Sequence, residues 1–145
     1  MAIIKELTIS AKGDTAKLSK DVYLYLGDGG ITLLITVLET DSTIGRYYKQ
    51  GTNIVVESGT TYAQVCILKA NNEVVYSDRC QIEDGKIVFE ISKDFIDEIA
   101  EQGTHLLQIH LFDSMEDDAN RLTIPPVTFT ILQPICDIGH DLNIP

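Results

Sequence analysis

The stretch DGKIVFEISKDFIDEIAEQGTHLLQIHLFD, residues 84–113, decides the fold class. Its first part, residues 86–91, alternates apolar and polar residues with the two-residue period of a β-strand. The same alternation resumes at residue 107 and ends at a turn at Asp113. The pattern therefore predicts two strands that each bury one face. The buried residues are predicted to be Ile87, Phe89, Ile91, Leu107, Ile109 and Leu111.

A short helix is predicted between these two strands. Ser92 is a favourable helix N-cap, and Asp94 lies in the first turn, where the helix dipole stabilises an acidic side chain. Gly103 is placed where a left-handed residue commonly ends a helix. The apolar stripe expected on this helix consists of Phe95, Ile96 and Ile99.

Turns and short apolar runs divide the rest of the chain into roughly eight or nine strands. Residues 31–39, ITLLITVLE, are predicted to form a central strand buried on both faces. Residues 53–57 and 73–82 are each predicted to form one strand, and Pro125-Pro126 to place the start of the last strand at a sheet edge. The predicted fold class is mainly β: an antiparallel, immunoglobulin-like β-sandwich with one short helix between two late strands.

Length and charge limit the functions that this chain can have. Its 145 residues, 44% of them apolar, are enough for one domain. We predict a β-sandwich domain over residues 1–133 and an irregular tail over residues 134–145. The 22 acidic and 11 basic residues give a formal charge of −11, so no nucleic-acid partner is expected. No apolar run reaches about 18 residues, so no membrane partner is expected.

Patterns typical of catalytic or metal sites are missing from the sequence. His105 and His110 are five residues apart on one predicted strand, which places them on opposite faces and prevents them from sharing a metal. The carboxylates of residues 116–118 are consecutive, not alternating as in Ca²⁺-binding loops, so a solvated loop is expected there. Nucleophile-elbow, zinc-protease and phosphate-loop motifs do not occur. The chain is therefore expected to be no enzyme and to hold no metal or cofactor.

The three cysteines, Cys66, Cys80 and Cys136, show neither CxxC spacing nor a zinc pattern. Cys66 and Cys80 fall in predicted strands, where small buried thiols are common. A disulfide between these two stays open at this point, although the chain has the character of a protein made in a reducing cytoplasm.

Two segments are candidate interaction surfaces. Tyr47 and Tyr48 stand beside Arg46 and Lys49 in a polar stretch, and tyrosine and arginine are frequent anchors of protein interfaces. The same tyrosines can equally fold back over the edge of the sandwich. The other segment is the tail, which is apolar without a clear period. Its candidate contact residues are Ile135, Ile138, Leu142 and Ile144.

The order of elements resembles the N-terminal domain of phage baseplate upper proteins, over about residues 1–133. The long apolar strand at residues 31–39 is followed by the hairpin NNEVVY, residues 71–76, and then by DGKIVFEIS, residues 84–92. A short helix leads to GTHLLQIHLFD, residues 103–113, and residues 127–132 form a closing strand. The polar insertion at residues 40–51 departs from the pattern of that family, which leaves the role of Tyr47 and Tyr48 open.

The resemblance implies a structural protein of a phage virion, assembled in the host bacterial cytoplasm. It would be a trimeric adaptor that attaches a fibre or receptor-binding element to the baseplate or the capsid, with other virion proteins as partners. The tail would then supply the apolar trimer surface and lead to a distal fibre segment, or else fold back on its own sandwich. A non-catalytic carbohydrate-binding β-sandwich module is the alternative, and an enzyme is the least expected.

Overall fold

The computed structural model describes residues 3–39 and 51–135. These contain twelve strands and two helices. In chain order they are β1 (Ile3–Lys12), β2 (Thr15–Leu18), β3 (Tyr23–Tyr25), β4 (Ile31–Glu39), β5 (Thr52–Asn53), α1 (Ile54–Glu57), β6 (Tyr62–Leu68), β7 (Val74–Tyr76), β8 (Gln81–Glu83), β9 (Lys86–Ile91), α2 (Lys93–Ile99), β10 (Gly103–Phe112), β11 (Arg121–Thr123) and β12 (Val127–Leu132).

The strands form two sheets in a sandwich-like arrangement. The first sheet has the order β2-β1-β4-β9-β8, with β5 beside β4, and the second has the order β3-β12-β10-β6-β7, with β11 beside β10. The prediction of a mainly β fold is confirmed, but the prediction of purely antiparallel pairing is wrong. β1 runs parallel to β4, and β3 runs parallel to β12. The two strands of each parallel pair are far apart in the sequence and meet through tertiary packing. Local turn patterns therefore do not predict these pairings.

One apolar core lies between the two sheets. Alternation buries the predicted face of β9, where Ile87, Phe89 and Ile91 are at most 1% exposed, and the predicted face of β10. Phe89 also packs edge-on against Phe95 of α2, with ring centroids 5.5 Å apart. β4 is central, as predicted, but only Ile31 and every second residue after it is fully buried. Its other face is half-buried, because none of the described helices and strands forms a further layer over the outside of the first sheet.

The chain crosses from the second sheet to the first at Ser77. Residues 73–82, predicted as one strand, form two: β7 pairs with β6 in the second sheet, and β8 pairs with β9 in the first. The Ser77 hydroxyl accepts a hydrogen bond from the Val65 amide at 2.9 Å and donates to the Asp78 carbonyl at 2.8 Å. The Ser77 amide donates to the Val65 carbonyl at 2.8 Å. These bonds replace the sheet pairing that the chain loses as it changes layers.

The predicted helix exists, with one difference at its end. The Ser92 hydroxyl caps α2 by accepting a hydrogen bond from the Phe95 amide at 3.1 Å. The left-handed residue that ends α2 is Ala100, with φ of 56°, and not Gly103, which opens β10.

The prediction of a single helix is wrong, because residues 54–57 form α1 instead of a strand. Their β-branched residues favour a strand, but the Asn53 side chain caps the turn by accepting from the amides of Val55 and Val56. Its amide group also donates to the Gly85 carbonyl at 3.1 Å, which ties α1 to the turn before β9.

Pro125-Pro126 separates two strand segments and does not open an edge strand. β11 pairs with residues 110–112 of β10, and β12 pairs with residues 103–107 of the same strand. β12 is interior, because β3 pairs with its other side. Proline has no amide hydrogen to donate in a strand ladder. The two prolines therefore lie between the segment that pairs with residues 110–112 of β10 and the segment that pairs with residues 103–107.

We predict that Ser77→Ala lowers the free energy of unfolding by about 1–3 kcal/mol, because it leaves the buried Val65 amide without its acceptor. The measurement is urea denaturation followed by circular dichroism. Ser114→Ala is the matched control: it removes a hydroxyl that accepts from the exposed Glu116 amide, where water replaces the lost acceptor. Equal effects of the two substitutions would contradict this role of Ser77.

Candidate interaction surface

The strand residues on the outer face of the second sheet include no carboxylate and no lysine, and a carboxylate approaches them at the β3 edge, where the Tyr23 hydroxyl donates to Asp21 at 3.3 Å. The residues of this face alternate along each strand with those that face the core, and strand pairing places them side by side. We call this surface the carboxylate-free face. It consists of Tyr23, Tyr25, Tyr62, Gln64, Cys66, Leu68, Val74, Tyr76, Thr104, Leu106, Gln108, His110, Phe112, Arg121, Thr123, Thr128, Thr130 and Leu132.

An apolar zone lies near one corner of the carboxylate-free face. Val74 pairs with Leu68, and Leu68 with Leu106, so three aliphatic side chains form one row across β7, β6 and β10. They are 44%, 38% and 41% exposed. Tyr76, which is 59% exposed, pairs with Cys66 in the adjacent row. An apolar cluster at outward positions of a sheet is typical of a surface that another molecule covers.

A row of cations and aromatic rings crosses the other end of the carboxylate-free face. The rings of Tyr62 and Phe112 are stacked, 4.7 Å apart with an angle of 8° between their planes. The Arg79 guanidinium lies 4.8 Å from the centre of the Tyr62 ring, in the geometry of a cation–π contact. On the other side, strand pairing sets Arg121 opposite Phe112. We call this set of four residues the cation–aromatic row.

The outer face of the first sheet has a different composition. Both signs of charge occur on it, and Lys86 forms an ion pair with Glu6 at 2.9 Å. Its outward charged residues are Glu6, Lys12, Lys17, Glu83, Lys86 and Glu90. The two sides of the molecule are therefore chemically distinct: the outer face of the first sheet carries charges of both signs, whereas that of the second sheet is mainly apolar and uncharged, with Arg121 on it and Asp21 at its β3 edge.

Most of the interaction residues predicted from the sequence lie outside the described residues. These are Tyr47, Tyr48, Ile138, Leu142 and Ile144. Ile135 is described and is 84% exposed. It follows β12 by three residues, at the end of the sheet where Leu132 pairs with Tyr25 of β3. The chain thus leaves the sandwich at the margin of the carboxylate-free face.

The sequence analysis missed the carboxylate-free face, although part of the signal is present in the sequence. Leu106 in HLLQIHLF and Leu68 in QVCILK occupy the polar phase of otherwise alternating strands. A large aliphatic residue in that phase indicates a covered surface. The joining of these residues into one patch depends on strand order, which the sequence does not show.

The two described histidines lie on opposite faces of β10, as predicted. His105 is buried, and its Nε2 bonds the Glu101 carbonyl at 3.0 Å, while Nδ1 has no hydrogen-bond partner among the described residues. His110 faces outward and bonds the Thr123 hydroxyl at 2.8 Å. Burial, and then the nearby Arg121, lowers the pKa of His110. Within residues 3–39 and 51–135, no three His, Cys, Asp or Glu side chains are grouped to hold a metal ion.

Cys66 and Cys80 are free thiols, so the disulfide that the sequence left open is not formed. Cys66 belongs to the carboxylate-free face, whereas Cys80 pairs with Ala63, a core residue. Burial raises the pKa of both thiols, that of Cys80 to about 11.

A cleft of about 260 Å³ opens where the chain crosses between the sheets. Asp78, Arg79 and Glu90 are among its lining residues. Its two serines are already engaged: Ser77 bonds Val65 and Asp78, and Ser92 caps α2. The cleft therefore offers charged groups but no serine hydroxyl held next to a base.

Comparison with known proteins identifies the fold. No family model and no curated protein matches the chain. Among solved structures, the N-terminal domain of phage TP901-1 ORF48 is similar, with a TM-score of 0.56 and 11% sequence identity. The match covers 90% of this chain and 99% of that domain. The chain shares the fold of a phage protein domain over nearly its whole length. In the part of the chain that the structure describes, no helix is long and apolar enough to span a membrane.

We predict that the stability of the protein falls between about pH 9 and pH 11 in part through Cys80. Folding raises the pKa of this thiol from its ordinary value of 9.0 to about 11. Its contribution to stability is therefore complete below pH 9.0 and is lost as the pH rises towards the folded-state value, a change of about 2–3 kcal/mol.

Urea denaturation at about pH 8 and about pH 10.5 measures this loss. Cys80→Ala is expected to flatten the alkaline decline, and Cys66→Ala, at the more superficial thiol, to change it less. An identical decline in the wild type and in Cys80→Ala would show that groups other than this thiol account for it.

Proposed function

We propose that this chain is a structural protein of a phage virion, an adaptor domain that attaches a fibre or receptor-binding element to the baseplate or the capsid. The observation that carries the proposal is the likeness to the N-terminal domain of phage TP901-1 ORF48, which extends over 90% of this chain. It agrees with the sequence resemblance to the N-terminal domain of baseplate upper proteins. The proposal includes an immunoglobulin-like arrangement of the two sheets, with the parallel pairs β1–β4 and β3–β12 as departures from it.

The carboxylate-free face supports a role in protein–protein contact. The strands of this sheet have 3, 6, 10, 7 and 3 residues, with 3 more in β11, which at about 3.3 Å per residue and about 4.8 Å between strands gives a face of about 500 Å². A standard protein interface buries about 800 Å² on each partner. The face is thus large enough to form the main part of one interface, and tyrosine, aliphatic and arginine side chains are the types enriched in such interfaces.

We propose further that the chain has no enzymatic activity. The hydroxyl groups of Ser77 and Ser92 serve the backbone, and the thiol of Cys80 is held protonated by burial. His105 and His110 point to opposite sides of β10. These arrangements support a binding or structural role, and turnover of a substrate would contradict that role.

The proposed oligomeric state is a homotrimer. Each copy carries a formal charge of −11, so copies repel one another wherever carboxylates face carboxylates. Between the outer faces of the two described sheets, the carboxylate-free face is the one with fewer carboxylates to repel another copy. The tail remains a second candidate for the trimer surface, because Ile135 stands exposed where the tail begins.

A carbohydrate-binding module is the second candidate function. Tyr23 and Tyr25 are 50% and 42% exposed on the same side of β3, and exposed rings can stack on sugars. Tyr76 lies at the opposite edge of the sheet. Glycan-array binding that is lost in Tyr23→Ala, Tyr25→Ala, Tyr47→Ala or Tyr48→Ala would favour this module over the adaptor.

We predict that Leu106→Asp converts the trimer into a monomer, because it places a carboxylate in the apolar row of the carboxylate-free face. The measurement is light scattering over a range of protein concentrations. Ile4→Asp is the matched control, since Ile4 is 63% exposed on a strand of the first sheet. A trimer that survives Leu106→Asp would exclude this face from the assembly.

We also predict that a chain ending at Gln133 forms a weaker trimer, because the exposed Ile135 and the apolar tail residues are removed with the tail. The same light-scattering series measures the concentration at which this chain dissociates. An unchanged trimer would leave assembly to the carboxylate-free face alone. A wild-type monomer at every concentration would contradict the trimer itself.

A further inference from the structure

β7 forms one edge of the second sheet, and its outer side is open. The Ser77 amide, directly after β7, donates to the Val65 carbonyl at 2.8 Å, which fixes the phase of the ladder between β6 and β7. Because hydrogen-bonded pairs alternate with non-bonded pairs in an antiparallel ladder, the amides and carbonyls of Val74 and Tyr76 point away from β6. No described strand pairs with that side of β7.

The side chains of this edge also favour the addition of a strand. Natural proteins commonly protect an open edge with charged residues or proline, but β7 consists of two valines and a tyrosine. Val74 and Tyr76 are 44% and 59% exposed, next to the apolar row that Val74 forms with Leu68 and Leu106. An added strand would extend the sheet sideways and leave the carboxylate-free face itself uncovered.

β3, at the opposite edge of the same sheet, is less open. The Asp28 amide bonds the Tyr25 carbonyl at 3.1 Å, so one of the outward backbone groups of β3 is already engaged. The Tyr23 hydroxyl donates to Asp21, which brings a carboxylate to that edge. β7 is therefore the edge with both its backbone groups and its side chains available.

The edge of β7 leads into the cleft where the chain crosses between the sheets. Asp78, two residues after Tyr76, lines this cleft together with Glu90 of β9. Both carboxylates add to the effect of burial in raising the pKa of the Cys80 thiol, so their charges act on one place. None of the ion pairs among the described residues uses Asp78 or Glu90.

Arg79 lines the same cleft but is not paired with its carboxylates. The Arg79 guanidinium lies 4.8 Å from the centre of the Tyr62 ring, and its Nη1 contacts the Met115 sulfur at 3.7 Å. Neither Asp78 nor Glu90 is within ion-pair distance of this guanidinium. The two carboxylates are therefore available to a cation from another molecule.

We propose that the open edge of β7 binds an extended, basic segment of a partner protein as an additional strand of the second sheet. The backbone of that segment would pair with Val74 and Tyr76, and a lysine or arginine next to the paired residues would enter the cleft beside Asp78 and Glu90. The inference rests on the proposed adaptor function for the role of this partner, but not on the trimer. A second copy is not the expected occupant, because it brings the same net charge of −11.

Antiparallel pairing determines where the basic residues of the partner segment lie. β7 runs from Val74 towards the cleft, so a strand of opposite direction has its N-terminal residues at the cleft. Antiparallel pairs are the commoner kind and are slightly more stable per residue than parallel pairs. The expected segment therefore carries its positive charges before the residues that pair with β7.

The first test uses a peptide with blocked ends, two lysines followed by three threonine–valine pairs, and measures its binding to the full chain by fluorescence anisotropy. Binding is expected to be at least about tenfold weaker when the lysines are replaced by glutamates or moved to the C-terminal end. N-methylation of one set of alternate peptide amides should abolish binding, because those amides donate to the edge. N-methylation of the other set is the matched control. Equal binding of all these peptides, or binding of none, overturns the inference.

The second test removes the charges of the cleft. Asp78→Asn/Glu90→Gln is expected to weaken binding of the lysine peptide at least about tenfold. The matched control is Asp14→Asn/Glu57→Gln, which removes the same charge from two exposed positions elsewhere and should leave binding nearly unchanged. An equal loss of binding in both variants would show a general charge effect and would overturn the assignment to the cleft.

Hydrogen exchange of the backbone tests the strand pairing itself. The amides of Val74 and Tyr76 face the open edge, so they are expected to exchange fast in the protein alone and to become protected when the lysine peptide binds. The Val75 amide, which faces β6, is the internal control and should be protected in both states. Unchanged fast exchange of Val74 and Tyr76 in the peptide complex would overturn the added strand.

The outcomes separate this inference from the proposed function. A trimer that binds none of the peptides overturns the inference and leaves the trimeric adaptor standing. A monomer that binds the lysine peptide as described contradicts the trimer and supports the inference. A trimer that the lysine peptide dissociates would show that a second copy occupies the edge, and it would overturn the assignment of the edge to a basic partner.

Discussion

The single apolar core shared by the two sheets is the constraint on which the rest of the structure depends. A strand can give only every second side chain to a core, so burying one face of each sheet determines which residues must face outward. Phe89 and Phe129, both 1% exposed, fill this core from the first and second sheet respectively. A one-residue shift in the strand pairing of either sheet would exchange the core-facing and outward-facing side chains. The free-energy cost of that exchange fixes the register.

The crossing at Ser77 is the second consequence of the shared core. Because consecutive strands β7 and β8 belong to different sheets, the chain must pass the edge of the core with its backbone groups unpaired by a ladder. Ser77 supplies the missing partners through its amide and its hydroxyl. The same crossing brings Arg79 over Tyr62 and so begins the cation–aromatic row. One local solution to a folding problem thus shapes the candidate interaction surface.

This acidic protein has charged surfaces that repel other copies and one face that is available for contact. Charges on the first sheet and in the loops keep the molecule dispersed, since copies with the same net charge repel. The carboxylate-free face removes that repulsion from one surface, where aliphatic and aromatic side chains are available for contact. A structural protein that must stay soluble before assembly and bind its neighbours afterwards needs both surfaces. This division supports the adaptor proposal better than it supports a sugar-binding site, which needs rings arranged around one ligand.

The sequence by itself determined the local elements whose signals are short-range: the alternation of β9 and β10, the cap of α2 at Ser92, and the opposite orientation of His105 and His110. Each depends on residues within a few positions of one another. It did not determine α1, where the cap formed by Asn53 and its bond to Gly85 outweighs the strand preference of Ile54, Val55 and Val56. Only the tertiary structure decided the parallel pairs, the change of sheet at Ser77 and the carboxylate-free face. These join residues from distant strands, and their free energy comes from strand order and shared burial, which no local pattern encodes.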